Sequence, residues 1–530
     1  MVSAEKEPAT PTFANFSTAS KAESVGICAL AVAFAFVLFL QWGTGLATDD
    51  YVHLLDGLQW HLAEHLWPKE YASIPVLHYT HGLAFYFIGD RPWAYDLLKA
   101  VYAGAGVYFA SRFFSLFCGP RRALLLAFIF VFFPLHDGAD YSLTEQYLVI
   151  SFTSYLYAYA LGARGKVTTA VVFALIASFA SYGSPPIAIG LALLAMLRGE
   201  RKLAIAIYIP NLIYVVYYLT TSLFFKFGTA RLIGDFSLIG LTREMLLEIM
   251  TFIDAIAGPS AWAKVFYSIM SLNVLMALVA LAAAVGSLFY IAAERRGVAD
   301  RGLALSAGLI VVLSFGMFTL TGLYPQIDFG LGDRVMIYGD FLLVCLFASL
   351  RVPRVAEAAV IVVAFLAICG IDTHWKQWMG EVDRVGADIR ANSQIRDIPK
   401  DDRLYVAGHQ YSRLGPFAHI DFFTANYVVR AFFEMQFGQP LPFNVMSFNR
   451  RLEFKDGALH DRKFGGATPV SGAILLYDSD RNTVERLPTA DIQARIDALP
   501  DENRHWTQEL PDGWLKNLIV KFAPRLRYAY

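Results

Sequence analysis

Asp49 and Asp50 stand side by side at the head of TDDYVHLLDGLQWHLAEHLWPKEY, residues 48–71, where a long apolar run from Val25 to Leu40 has just brought the chain to a bilayer surface. A carboxylate held there, partly dehydrated, can act as a general base toward an acceptor hydroxyl. An aspartate ahead of a helix is also a favoured N-cap against the positive helix end. Side chains at i and i+1 point in different directions, so adjacency leaves both readings open, although two acids exceed what capping requires.

Histidines are dense around the pair: His53, His61, His65, His78 and His81. His61 and His65 are spaced i, i+4 with Glu64 beside them, the spacing of a metal pair on one helix face. Two ligands without a third do not define a metal site, and a wet interfacial helix is the better account of them. A divalent ion is therefore left open as a cofactor. The four cysteines (Cys28, Cys118, Cys345, Cys369) lie in or at the end of apolar runs, which argues against a disulfide framework or a thiolate metal site.

The elements that must position these residues are membrane helices. The chain has 530 residues, 56% of them hydrophobic and only 17% charged, with a mean hydropathy of +0.46; that is too apolar for an ordinary soluble domain. The net charge of −1 gives no basic field for nucleic acid. With roughly 20 apolar residues per span, about eleven transmembrane helices are expected, near 25–46, 92–117, 121–136, 143–163, 167–184, 186–198, 203–224, 265–293, 303–323, 335–350 and 355–371.

Alternate connections are basic: Arg121 and Arg122, Arg164 and Lys166, Arg198 with Arg201 and Lys202, Arg295 with Arg296 and Arg301, then Arg351 and Arg354. The positive-inside rule places these in the cytoplasm with residues 1–24. The other side receives the first loop (48–91), the connection 226–264 and a tail from 372 to 530. In the first loop Tyr51, Leu55, Leu58, Leu62 and Leu66 mark the apolar face of an amphipathic helix lying in the interface. The tail mixes a polar helix (375–395), short β-rich runs at 403–407 and 472–477, and helices at 489–499 and 515–522; it reads as a small extracytoplasmic α/β domain without a phosphate loop, GxSxG or HExxH motif.

A first membrane helix followed by an acidic pair, an amphipathic helix, an apolar piece ending Phe87-Ile88-Gly89, a helix from Trp93 to Phe117, then Cys118-Gly119 and a basic turn resembles the GT-C superfold of integral-membrane glycosyltransferases. It is most similar to the branch containing protein O-mannosyltransferases and the aminoarabinose transferase for lipid A, over roughly residues 25–163. The resemblance implies that Asp49 is the catalytic base, with Asp50 in the place of the usual neighbouring acid. Glu145, in Tyr141-Ser142-Leu143-Thr144-Glu145, matches a second acid, with Asp137 and Asp140 nearby. The chain departs from the pattern at His78-Tyr79-Thr80-His81-Gly82-Leu83, where many members have Pro-Pro-Leu, and at Asp96-Leu97, where they often have Arg-Leu.

Members use a sugar on a polyprenyl phosphate or diphosphate, which implies a cation for the leaving phosphate. Arg334, in Gly332-Asp333-Arg334-Val335, matches an arginine of several branches; its alternative is pairing with Asp333 or Asp340. Arg91, Lys99, Lys226 and Arg231 are further candidates for the donor phosphate, Lys264 is another cation on this face, and Asp140, His78 and His81 are candidates for orienting the acceptor. Cations of this kind also snorkel or touch lipid headgroups without further purpose. The implied reaction is glycosyl transfer to a glycolipid, polysaccharide or protein at the periplasmic face of a bacterial inner membrane. The rival readings are an O-antigen polymerase or ligase, a transporter or flippase of lipid-linked saccharide, and a non-catalytic assembly protein.

Overall fold

The structure, a computed structural model, describes residues 13–59, 74–224, 236–292, 294, 300–321, 325–350, 352–400, 402–462, 466–500 and 511–522. It is 71% helical, which lets an apolar chain satisfy its backbone polar groups internally. The helices that position the site are α1 (Phe13–Gln41), α2 (Asp49–Gln59), α3 (Pro92–Phe114), α4 (Pro120–Val131), α5 (Tyr147–Gly162), α6 (Val167–Ala180), α7 (Ser184–Leu197), α8 (Arg201–Phe224), α9 (Leu238–Ala257), α10 (Pro259–Met270), α11 (Val274–Ala292), α12 (Arg301–Thr321), α13 (Ile337–Ser349) and α14 (Arg354–Ala391). Among the described residues six segments are long and apolar enough to cross a membrane: Pro120–Tyr141, Arg201–Thr221, Leu238–Met270, Val274–Ala292, Arg301–Thr321 and Arg354–Ala391.

Three boundaries differ from the sequence reading. The connection 226–264 contains α9, whose Ser237 hydroxyl caps it by accepting the Gly240 N–H at 3.0 Å; Arg243, Glu244, Glu248 and Asp254 interrupt its apolar run. The expected span 265–293 is two helices, α10 and α11, parted where the Asn273 carboxamide accepts the Met276 N–H and opens a new helix. The expected domain boundary at 372 falls inside α14, which runs unbroken from its apolar half into its polar half. Gly370 is needed midway along it, because a Cβ there would come within 1.9 Å of the Ser268 carbonyl oxygen on α10.

One end of the bundle gathers the basic connections. Glu294 accepts the Arg121 and Arg122 N–H groups at the start of α4 (3.1 and 2.8 Å), Arg122 pairs with Glu357, Arg198 pairs with Asp300, and Arg164 donates to Ser115. At the opposite end, Pro134–His136, Asp137–Tyr141, Thr144–Gln146 and Leu331–Met336 form short helical turns, and the C-terminal region packs on them.

That region contains β1 (Arg403–Ala407), β2 (Tyr411–Leu414), β3 (Phe417–Asp421), α15 (Asn426–Phe437), β4 (Asn444–Ser447), β5 (Leu452–Lys455), β6 (Ala458–Asp461), β7 (Ala467–Pro469), β8 (Ala473–Asp478), β9 (Thr483–Pro488), α16 (Ile492–Ala498) and α17 (Trp514–Phe522). The main sheet runs β4-β1-β8-β9, with β1 parallel to β4 and β8 and β9 antiparallel at the edge. The strands expected at 403–407 and 472–477 are its central pair. Phe422, Phe423, Val429 and Phe432 form one apolar cluster with Tyr51 and Leu54 of α2, so the first loop and the tail share a core.

Candidate functional site

The site begins with Asp50, which is fully buried. Its carboxylate accepts the N–H groups of Ala47 (3.0 Å), Leu143 (3.2 Å) and Thr144 (2.7 Å) and the Thr144 hydroxyl. Four donors on one carboxylate fit its ionised form and leave no lone pair for a substrate proton. Asp50 is therefore an anchor, which departs from a catalytic part for both members of the pair. It ties the start of α2 to the turn carrying Glu145, and Asp49 and Glu145 flank the joint.

Asp49 is half-buried, and the Tyr427 phenol on α15 is hydrogen-bonded to it. Burial and the Asp49 charge push the Tyr427 pKa up, so the phenol stays protonated and donates. The residue before the pair, Thr48, has φ of 44°, a costly left-handed conformation for a β-branched side chain. It is held there by the Asp50 bond to Ala47 and by its own hydroxyl, which donates to the Asp421 carbonyl at 3.0 Å. Upstream, Asp96 accepts the Gly43 and Gly45 N–H groups (2.9 and 3.0 Å), while buried Lys99 donates to Thr44 (2.7 Å), Gly45 O (2.5 Å) and Tyr141 O (3.2 Å). Lys99 thus clamps the chain leading to Asp49, and its three acceptors withdraw it from the donor phosphate.

Glu145 and Arg334, far apart in sequence, meet: Arg334 Nε lies 3.1 Å from Glu145 Oε2, with both side chains mostly buried. Arg334 Nη1 also donates to the Leu331 carbonyl at 2.8 Å. Neither Asp333 nor Asp340 takes the guanidinium. Arg334 borders a crevice lined also by Tyr147, Leu148, Tyr182, Phe318, Val335 and Tyr338.

Beneath this surface lies a second network that sequence reasoning missed. Lys264, expected at the interface, is fully buried, with Nζ 2.6 Å from both Asp137 Oδ1 and Asp333 Oδ2. Asp137 Oδ2 also receives the Trp375 indole N–H at 2.5 Å and the His419 Nε2 proton at 3.0 Å. His419 Nδ1 accepts from the Gly330 N–H at 3.3 Å, which assigns the neutral tautomer protonated on Nε2. Asp137, Asp333 and His419 offer ligand atoms within 4.8 Å of one another, but the Lys264 ammonium already fills the cation's place between the carboxylates. This donor set does not fit a divalent ion. The sequence signal was Asp137, Asp333 and Lys264 as separate residues, since nothing local shows that they meet.

The remaining candidates divide. His78 and His81 are buried in a π-helical turn, His78–Gly82, and His81 Nδ1 lies 2.8 Å from the Thr80 hydroxyl. Asp140 is buried on the second network, 3.8 Å from His136 Nε2, so it does not open onto the Arg334 crevice. Arg91 is exposed at the start of α3. Lys226, Arg231, His61 and His65 lie outside the described residues. The chain matches no family model and no curated protein.

Removing Lys264 leaves two buried carboxylates uncompensated, so Lys264→Met lowers stability by about 3–5 kcal/mol; thermal unfolding in detergent measures it, and an unchanged midpoint contradicts the network. His53 is the pH-sensitive group beside Asp50: burial pushes its pKa down to about 4. A depressed histidine pKa contributes stability above the unfolded value near 6.5 and loses it as pH falls toward 4. Between pH 7 and pH 5 the native protein therefore loses about 2 kcal/mol more stability than His53→Gln, and parallel curves would place His53 in water.

Proposed function

We propose that the chain is an integral-membrane glycosyltransferase that moves a sugar from a polyprenyl-phosphate-linked donor to an acceptor hydroxyl. In this reading about eleven helices span a bacterial inner membrane and the C-terminal region is periplasmic, covering the acidic first loop. The observation that supports it is the Asp50 anchor, which ties the segment carrying Asp49 to the turn carrying Glu145, together with the Glu145–Arg334 pair. A strained Thr48 immediately before Asp49 adds to it, since such strain collects at functional sites and needs surrounding structure to persist.

The chemistry is direct displacement at the anomeric carbon. Asp49 removes the acceptor proton as the new bond forms, and Tyr427 orients its carboxylate. The anomeric carbon–oxygen bond to the carrier breaks, and Arg334 stabilises charge on the departing phosphate. Asp50 holds the two halves of the site in register. The activated lipid supplies the driving force, so the reaction needs no nucleotide at that face.

A transporter would carry ionisable groups at mid-membrane depth lining a cavity. Here the buried charges Lys264, Asp137 and Asp333 connect to His419 of the C-terminal region, which favours the enzyme over the transporter.

Membranes containing the native chain transfer radiolabelled sugar from a polyprenyl-phosphate sugar panel, whereas Asp49→Asn at matched expression loses about 100-fold or more, the scale of general-base contributions. Equal transfer by both would remove Asp49 from the chemistry, and no transfer from any donor would contradict the glycosyltransferase reading.

A further inference from the structure

The structure places Glu145 where an anion belongs on Arg334, and we propose that the phosphate group of the carrier lipid displaces the Glu145 carboxylate from that guanidinium. The inference rests on the reading of Arg334 as the phosphate-binding residue and adds the partner exchange. Three observations lead to it.

The first is fixed geometry on both sides of a movable contact. Arg334 is held from behind by the Leu331 carbonyl, 2.8 Å from Nη1. The backbone before Glu145 is held by Asp50 through the Thr144 N–H at 2.7 Å. Between these two anchors lies the contact of the Glu145 carboxylate with Arg334 Nε.

The second is charge balance at low exposure. The Arg334 and Glu145 side chains are 13% and 9% exposed, so leaving the guanidinium without an anion would be costly, whereas trading one anion for another keeps the charge compensated. A phosphate oxygen pair can bind a guanidinium bidentately, whether the carrier phosphate holds a sugar or is free.

The third is the lining of the crevice that Arg334 borders. Its other residues are Tyr147, Leu148, Tyr182, Gly183, Phe318, Val335 and Tyr338, apolar or phenolic, so Arg334 is the cation that an entering phosphate meets there among the described residues. Lys99 and Lys264 are already engaged with internal acceptors. The displaced Glu145 carboxylate then lies next to the turn that Asp50 ties to Asp49, where it can accept a hydrogen bond from a sugar hydroxyl only after the donor has arrived.

The test is binding of undecaprenyl phosphate to the purified full-length protein in detergent micelles, with phosphatidic acid at equal mole fraction as the second phosphomonoester. Glu145→Gln weakens the competing pair and binds undecaprenyl phosphate about tenfold more tightly than the native chain, because the competent state no longer has to be uncovered. Glu145→Asp, one methylene shorter, shifts affinity in the same direction and guards against a fold defect in the first variant. Unchanged or weaker binding by both variants, with the native chain binding normally, overturns the exchange and leaves the glycosyltransferase reading standing. No binding of undecaprenyl phosphate by any form overturns both, and equal responses to phosphatidic acid overturn the assignment to the carrier lipid.

Discussion

The buried carboxylate of Asp50 is the constraint on which the rest of the site depends. It satisfies the N–H groups of Ala47, Leu143 and Thr144 at once, joining two segments that lie almost a hundred residues apart. An interior carboxylate is costly to bury unless its oxygens are satisfied, and here three backbone donors and a hydroxyl do so. The neighbours of these anchored residues are Asp49 in one segment and Glu145 in the other. The acidic pair reads in sequence as two equivalent candidates, and the structure divides the labour: one carboxylate is spent on architecture, the other remains half-buried beside a phenol.

A second layer of charge fastens the C-terminal region to this end of the bundle. Lys264 between Asp137 and Asp333, with Trp375 and His419 on Asp137, links α10, the turn after α4, the turn before α13, α14 and β3 in one hydrogen-bonded unit. Buried ion pairs of this kind add little net stability over an apolar core but are severe to break from one side. Gly138 shows how closely the parts approach, since a Cβ there would lie 2.5 Å from Asp333 Oδ1. Phe422, Phe423 and Phe432 of the C-terminal region pack with Tyr51 and Leu54 of α2, so the tail and the first loop share a core.

Much of the bundle was legible because apolar runs and basic turns are local signals. Helices α3, α5, α6, α7, α8 and α12 lie where hydropathy puts them, and the basic turns do gather at one end. What failed were features whose cause is not local. Helix α9 carries four charged residues, and its apolar run reads as part of a loop. Lys264 reads as a surface cation because its two carboxylates come from distant turns, and α14 reads as two elements because its composition changes while its hydrogen bonding does not. At the site, Arg334 and Glu145 were separate candidates joined only by the fold, and Tyr427 carried no signal at all, since one tyrosine among 27 cannot be singled out by sequence.

The most direct measurement is the structure of the full-length protein in a lipid nanodisc with a non-transferable polyprenyl-phosphate sugar analogue and an acceptor. The account predicts the phosphate on Arg334, the lipid tail in the bundle beside Tyr182 and Phe318, and the anomeric carbon on the Asp49 side, within about 4 Å of an acceptor hydroxyl that hydrogen-bonds Asp49. Density for the lipid phosphate at the basic end, around Arg164 and Arg198, or an anomeric carbon remote from Asp49, would contradict it.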